Sequence, residues 1–185
     1  MAQTPPPASV PPPRQVDPAT VVPGSKAVAR RITLVVADLD RSVRFYTALG
    51  FVLDRRVEVT DPGSLQVFGL PAGSRLTFAR LSSDNTLSTG RIDGGTIGLA
   101  QVHEPRLPSL RERTGGDTLI GTPILVMTTD GVDAVHARLL ALGAEILSPP
   151  TEIAGGLRSM IARDPDGTRM EITQPPPPRP AAPPR

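Results

Sequence analysis

Apolar and polar positions along this chain change period several times, and the order of those changes occurs twice. Residues 30–37, RRITLVVA, are β-branched, apolar and free of breakers, and they predict a buried strand. Asp38 is a candidate cap for a helix, LDRSVRFYTALG, whose 3.6-residue period brings Leu39, Val43, Tyr46 and Leu49 to one face before Gly50 ends it. FVLDRRVEV alternates through Val59 and predicts a strand, and DPGS a turn. SLQVFGL, 64–70, fits a short helix or a strand equally well. SRLTFARLS is a strand, Asp84 to Gly95 a polar loop, and TIGLAQV, 96–102, another strand. Pro105 to Thr122 reads as a linker. The order then restarts: strand Ile124–Thr129, helix GVDAVHARLLALG after Asp130, strand AEILSPP, strand Leu157–Ala162, a tight turn at Asp164-Pro165-Asp166-Gly167, and strand Thr168–Thr173. The junctions VVADLDRSVRFYTALGF and VMTTDGVDAVHARLLALGAE match, so the chain carries an internal repeat. One unit cannot cover both faces of its sheet, and two must join around a shared core.

Composition changes the picture only at the ends. Of 23 prolines, eight lie in the first 23 residues and seven in the last eleven. Residues 1–28 and 175–185 are therefore expected to be proline-rich tails outside the core, with one globular domain at 29–174, built from units 29–104 and 123–174 and the linker 105–122. The N-terminus, Ala2-Gln3-Thr4 before a polar proline-rich run, reads either as the start of a mature exported, periplasmic protein or as a natural cytoplasmic start. Net charge is +2, and all but one of the 20 basic residues are arginine, Lys26 being the exception. No basic stripe with interleaved aromatics exists, which argues against nucleic acid as a partner. Without cysteine there are no disulfides, thiolate nucleophiles or cysteine metal sites. No apolar run approaches the ~18 residues of a membrane span.

The stretches ITLVVADLDRSVRFYTALGF, IGLAQV and, most specifically, ARDPDGTRMEITQ resemble the vicinal-oxygen-chelate superfamily, that is, the glyoxalase, bleomycin-resistance and extradiol-dioxygenase fold. The resemblance covers about residues 30–174. It implies an α+β fold of tandem βαβββ units forming a curled mixed sheet around a cup, often with a divalent metal on four strand residues. Carried onto this chain, those four positions are Arg31, Gly98, Ile124 and Glu171. Only Glu171 keeps a ligand. A guanidinium repels a dication, glycine and isoleucine offer no donor atom, and one carboxylate cannot hold a transition metal. The prediction is therefore no metal and no other cofactor. His103, at a strand end, and His136, on a covering helix, are read as surface residues rather than ligands.

Strand period two then assigns a cup lined by Arg31, Thr33, Gly98, Ala100, Ile124, Val126, Arg158, Arg169, Glu171 and Thr173. This mix suits a small organic ligand, and its three arginines suit an anionic or carbonyl-rich one. The expected function is a metal-free small-molecule binder, with a homodimer compatible with the fold. The alternative is a lyase, isomerase or dioxygenase-type enzyme in which Glu171 is the catalytic base. Arg31 and Glu171 are further expected to form an ion pair where the metal would sit.

Overall fold

The computed structural model describes residues 31–83, 86–87, 90–91 and 95–176. Of the tails expected at 1–28 and 175–185, the first and residues 177–185 of the second lie outside the described residues.

The first half runs β1 (Arg31–Val35), α1 (Leu39–Ala48), β2 (Phe51–Val59), α2 (Pro62–Val67), β3 (Arg75–Ser83), the short strands β4 (Thr86–Leu87) and β5 (Gly90–Arg91), and β6 (Thr96–Glu104). The linker contributes α3 (Leu110–Thr114). The second half is β7 (Ile124–Thr128), α4 (Val132–Ala141), β8 (Ile146–Ile153), a single 3-10 turn, β9 (Leu157–Arg163) and β10 (Arg169–Gln174). The repeat folds into two four-stranded mixed sheets, ordered β1-β6-β3-β2 and β7-β10-β9-β8, each with one parallel pair at its β1 or β7 edge.

Each sheet has a face turned to the helices and a concave face. Leu34 of β1 and Val36 just after it are buried under α1, which contributes Leu39, Phe45 and Tyr46. In the second half Leu125, Met160, Ala162, Met170 and Ile172 meet Val132, Val135 and Leu139 of α4. These residues form one continuous core across both halves. Burying a side chain such as Leu39 or Met170 contributes about 1.5–3 kcal/mol.

The repeat extends to the caps. Asp38 accepts from Arg41 N at 2.9 Å, and Gln101 of β6 accepts the first N–H of α1, at Leu39, at 3.1 Å. Gln174 of β10 does the same for α4 at Val132, 2.9 Å. In both halves the last strand thus satisfies an orphan donor of the helix that covers it. The halves are latched by the Asp164–Gly167 turn. Buried Asp164 accepts from Tyr46 OH (2.9 Å), Asp166 N (3.0 Å) and Thr168 N (2.7 Å). Asp166 accepts from Ala37 N at 3.2 Å and Arg41 at 3.0 Å, at the start of the first helix. Burial pushes the Asp164 carboxyl above its usual range despite these bonds, and pushes the Tyr46 hydroxyl up as well.

Three local readings are corrected. DPGS is not a free turn: Asp61 caps α2, accepting from Ser64 N at 2.8 Å, and Pro62 opens that helix. That settles the ambiguous 64–70 segment as helix through Val67. The loop expected at 84–95 contains the paired strands β4 and β5. The linker is not wholly irregular, since Ser109 caps α3 by accepting from Glu112 N.

Candidate functional site

The concave faces are where the chain has room for a ligand. Register places Arg31, Thr33 and Val35 beside Thr96, Gly98 and Ala100 in the first sheet. In the second it places Ile124, Val126 and Thr128 beside Arg169, Glu171 and Thr173, and these beside Arg163, Ile161 and Ser159. The Ile124, Val126, Arg169, Glu171 and Thr173 expectations therefore fall on one contiguous surface. Val126 is 66% exposed and Ile124 47%. Glu171 is half-buried between Val126 and Ile161 and accepts from Ser159 Oγ at 3.1 Å. Thr173 Oγ1 donates to Met127 O at 3.1 Å.

Two expected lining residues belong elsewhere. Arg158 points to the helix side, sharing it with Met160 and Ala162, and donates to Asp133 of α4 at 2.7 Å. The residues of β9 on the concave side are Ser159, Ile161 and Arg163. Ala100 is fully buried in a second core, with Leu65, Leu70 and Leu76, formed where α2 closes over that end of the first concave face.

Arg31 and Glu171 do not pair. The Arg31 guanidinium stacks over the Phe78 ring, 4.8 Å from its centroid, and donates to Thr33 Oγ1 at 3.3 Å, while Glu171 takes its bond from Ser159. A cation–π contact with Phe78 of the same sheet stands in place of the expected ion pair. The same ring bears on the metal position at Gly98. A Cβ there would lie 2.7 Å from Thr33 Oγ1 and 2.8 Å from Phe78 Cε2, so the strand cannot present a glutamate without displacing its neighbours. With Arg31 committed to Phe78 and Ile124 offering only hydrocarbon, the residues at the family's four metal positions do not fit a dication. No cluster of three or more His, Cys, Asp or Glu able to hold a metal ion occurs among the described residues.

His103 is exposed, as expected, yet it is engaged. Thr77 Oγ1 donates to Glu58 Oε1 at 2.5 Å, so its lone pair receives the Nε2–H of His103 at 2.7 Å. Pairing at a strand end explains this histidine without a ligand role.

The concave surface opens, at the C-terminal end of β1, into a cleft of about 1080 Å³. Thr33 and Val35 form one wall, Pro123, Thr168 and Arg169 another, and the linker from Arg106 to Thr118 the third. The linker is anchored by Arg163, which donates to Gly116 O at 2.7 Å and Gly167 O at 3.2 Å, and by Arg111, ion-paired with Glu145 at 2.7 Å. Arg111 lies across Gly167, where a Cβ would come within 2.8 Å of its Cδ. The sequence reading missed Arg163 because it ended that strand at Ala162, one residue early. It missed the linker wall because polar, glycine-rich sequence carries no periodicity.

Two mixed sheets of this order, each covered by one helix and built from a repeated unit, define a glyoxalase-type fold. The chain belongs to the glyoxalase/bleomycin resistance protein/dioxygenase superfamily, whose family model matches residues 29–172. Among solved structures it is similar to a glyoxalase family protein from Bacillus cereus, with TM-score 0.69 and 19% identity over 83% of this chain and 98% of that one. A glyoxalase/bleomycin resistance protein/dioxygenase domain from Frankia gives TM-score 0.53 and 19% identity over 82% and 100%. Glyoxalase I of Leishmania major, described as trypanothione-dependent, gives 0.52 and 17% over 80% and 87%. At these identities the likeness is one of fold. No curated protein matches the sequence. No described helix is long and apolar enough to cross a membrane.

Proposed function

We propose that this protein is a metal-free binder of a small organic molecule, anionic or carbonyl-rich, held in the cleft between the two halves and the linker. The observation that carries the reading is the cleft itself: a space of mixed apolar and charged lining that Thr33 and Arg169 of the concave faces border. The poor fit of Arg31, Gly98 and Ile124 to a dication supports the absence of a metal role. The test joins elemental analysis with thermal melting. The purified protein is expected to hold less than a tenth of an equivalent of zinc, nickel, manganese or iron, and a chelator is expected to leave its melting point unchanged. A panel of small organic acids should raise the melting point, as any ligand selective for the folded state must. Near one equivalent of metal sinks the proposal.

The second reading, a lyase, isomerase or dioxygenase-type enzyme, is favoured by one observation. Glu171 stands on the concave face with a single hydrogen bond among the described residues, from Ser159, which leaves acceptor capacity for a substrate proton. Under that reading Glu171→Gln keeps stability and ligand affinity but abolishes turnover. Under the first, with the ligand in a cleft that Glu171 does not line, the substitution leaves affinity unchanged.

A further inference from the structure

We propose that Arg169, set directly across the ladder from Arg163, is the anchor of an anion subsite in this cleft, and that the ligand it takes is an organic carboxylic acid with an apolar body. The inference rests on the cleft being the binding site and names its ligand class.

The argument begins with charge. Arg169 and Arg163 are register partners on β10 and β9 and both line the cleft. Like charges directly opposite each other on neighbouring strands are destabilising unless something neutralises them. Arg163 directs its N–H groups to the carbonyls of Gly116 and Gly167. Carbonyls satisfy donors but cancel no charge. Its one nearby carboxylate, Glu145 at 3.5 Å, is shared with Arg111 at 2.7 Å. Arg169 makes no hydrogen bond or ion pair among the described residues, although it is half-buried. Arg55, Arg106 and Arg113, likewise without such partners, are exposed, where water supplies what a partner would. A half-buried guanidinium beside a second cation, with its donors open to a cleft, is complementary to an anion.

The remaining lining sets the class. Three carboxylates also line the cleft: Glu112 and Asp117 stand at exposed linker positions where solvent screens them, and Asp166 is already held by Arg41 and the Ala37 N–H. Arg163 is spent on the linker and Arg106 lines the cleft from an exposed position, so Arg169 is the half-buried guanidinium fork left open. One fork matches the two oxygens of a planar carboxylate, whereas a phosphate dianion needs further donors. Val35, Leu107 and Leu110 line the same space and are 49%, 41% and 61% exposed, an apolar surface that an aliphatic or aromatic body would cover.

Titration calorimetry with decanoate and 2-naphthoate, each beside its primary amide, and with inorganic phosphate tests this. At least one acid should bind one-to-one, at least tenfold tighter than its amide, with affinity falling as salt rises. Arg169→Gln should weaken the acid at least tenfold and leave the amide unchanged, and Arg169→Lys should retain part of the affinity. Because Arg169 has no partner to lose, Arg169→Gln should melt at or slightly above the wild-type temperature. A fall of several degrees would make Arg169 structural and overturn the subsite. Equal binding of acid and amide, unaltered by Arg169→Gln, overturns the subsite but leaves the cleft a binding site. Phosphate competing as well as the acids overturns the carboxylate assignment. If neither acids nor amides bind, the subsite and the reading of the cleft both fail.

Discussion

The two halves repeat each other on the helix side and part company on the concave side. Both cover their sheet with a ten-residue helix whose first N–H is accepted by a glutamine at or near the end of the last strand, Gln101 or Gln174. On the other face, α2 of the first half closes over Leu76 and Ala100 to make a second core, and Phe78 fills the space before Gly98. The second half leaves Ile124 and Val126 open to solvent. The shared face is constrained by packing, which tolerates few changes of volume. The concave face is constrained only by what must fit there, and it has diverged between the halves.

Breaking the latch between the halves should have the largest effect. Asp164→Ala leaves the buried Tyr46 hydroxyl and two part-buried backbone donors without an acceptor, at up to about 1–3 kcal/mol each. A fall in melting temperature of roughly 10 °C or more is expected, using ~2–4 °C per kcal/mol for a chain of this size. Tyr46→Phe, which removes one of those bonds, should lower it by a fraction of that.

The concave faces should then respond unequally. Leu65→Ala, under α2, is expected to cost about 2–4 kcal/mol as a buried cavity. Val126→Ala in the second half should cost under ~0.5 kcal/mol, as exposed substitutions do. Equal losses by chemical denaturation would contradict the asymmetry. Gly98→Ala sharpens the same point: overpacking against Phe78 and Thr33 should cost about 1–3 kcal/mol, and pairing it with Phe78→Leu should restore part of that.

The helix sides should respond alike. Gln101→Leu and Gln174→Leu each remove one acceptor from a helix start, at about 0.5–1.5 kcal/mol. The two should add, since they lie in different halves.

The smallest effect concerns pH. Hydrogen bonding from the Arg41 backbone N–H holds Asp38 below the usual carboxylate value, so its contribution is complete above the unfolded value and lost as pH falls through the folded one. Asp164 has the opposite sign, its raised value making the folded state relatively more stable when protonated. Asp38→Asn should flatten the acid limb of melting temperature against pH below about 4. Gly131, which caps α4 without a side chain, has nothing to titrate.

Most of the scaffold was legible because the periods are strong. The strand at 31–35, the helix after Asp38 and the Asp164–Gly167 turn stand where apolar spacing and capping chemistry put them. Arg158 shows where legibility ends. In LRSMIAR both alternate sets mix polar and apolar residues, and only the pairing of β9 with β10 decides which faces the cavity. Arg31 was placed on the right face but given the wrong partner, since nothing local in the sequence brings Phe78 beneath it. The linker wall was illegible for a different reason: it is held by single contacts from Arg111 and Arg163, which carry no period.

The latch also dictates the order in which this chain becomes a structure. Tyr46 and Asp164 are separated by 118 positions, and Ala37 and Asp166 by 129. Contacts of such sequence separation close late and slow the search for the native state. During synthesis the first helix emerges long before the turn that engages it, with Tyr46 lacking its acceptor and half of the shared core unmade. The amino-terminal unit therefore waits for the carboxy-terminal one. In that interval its apolar helix-side face is exposed to misassembly.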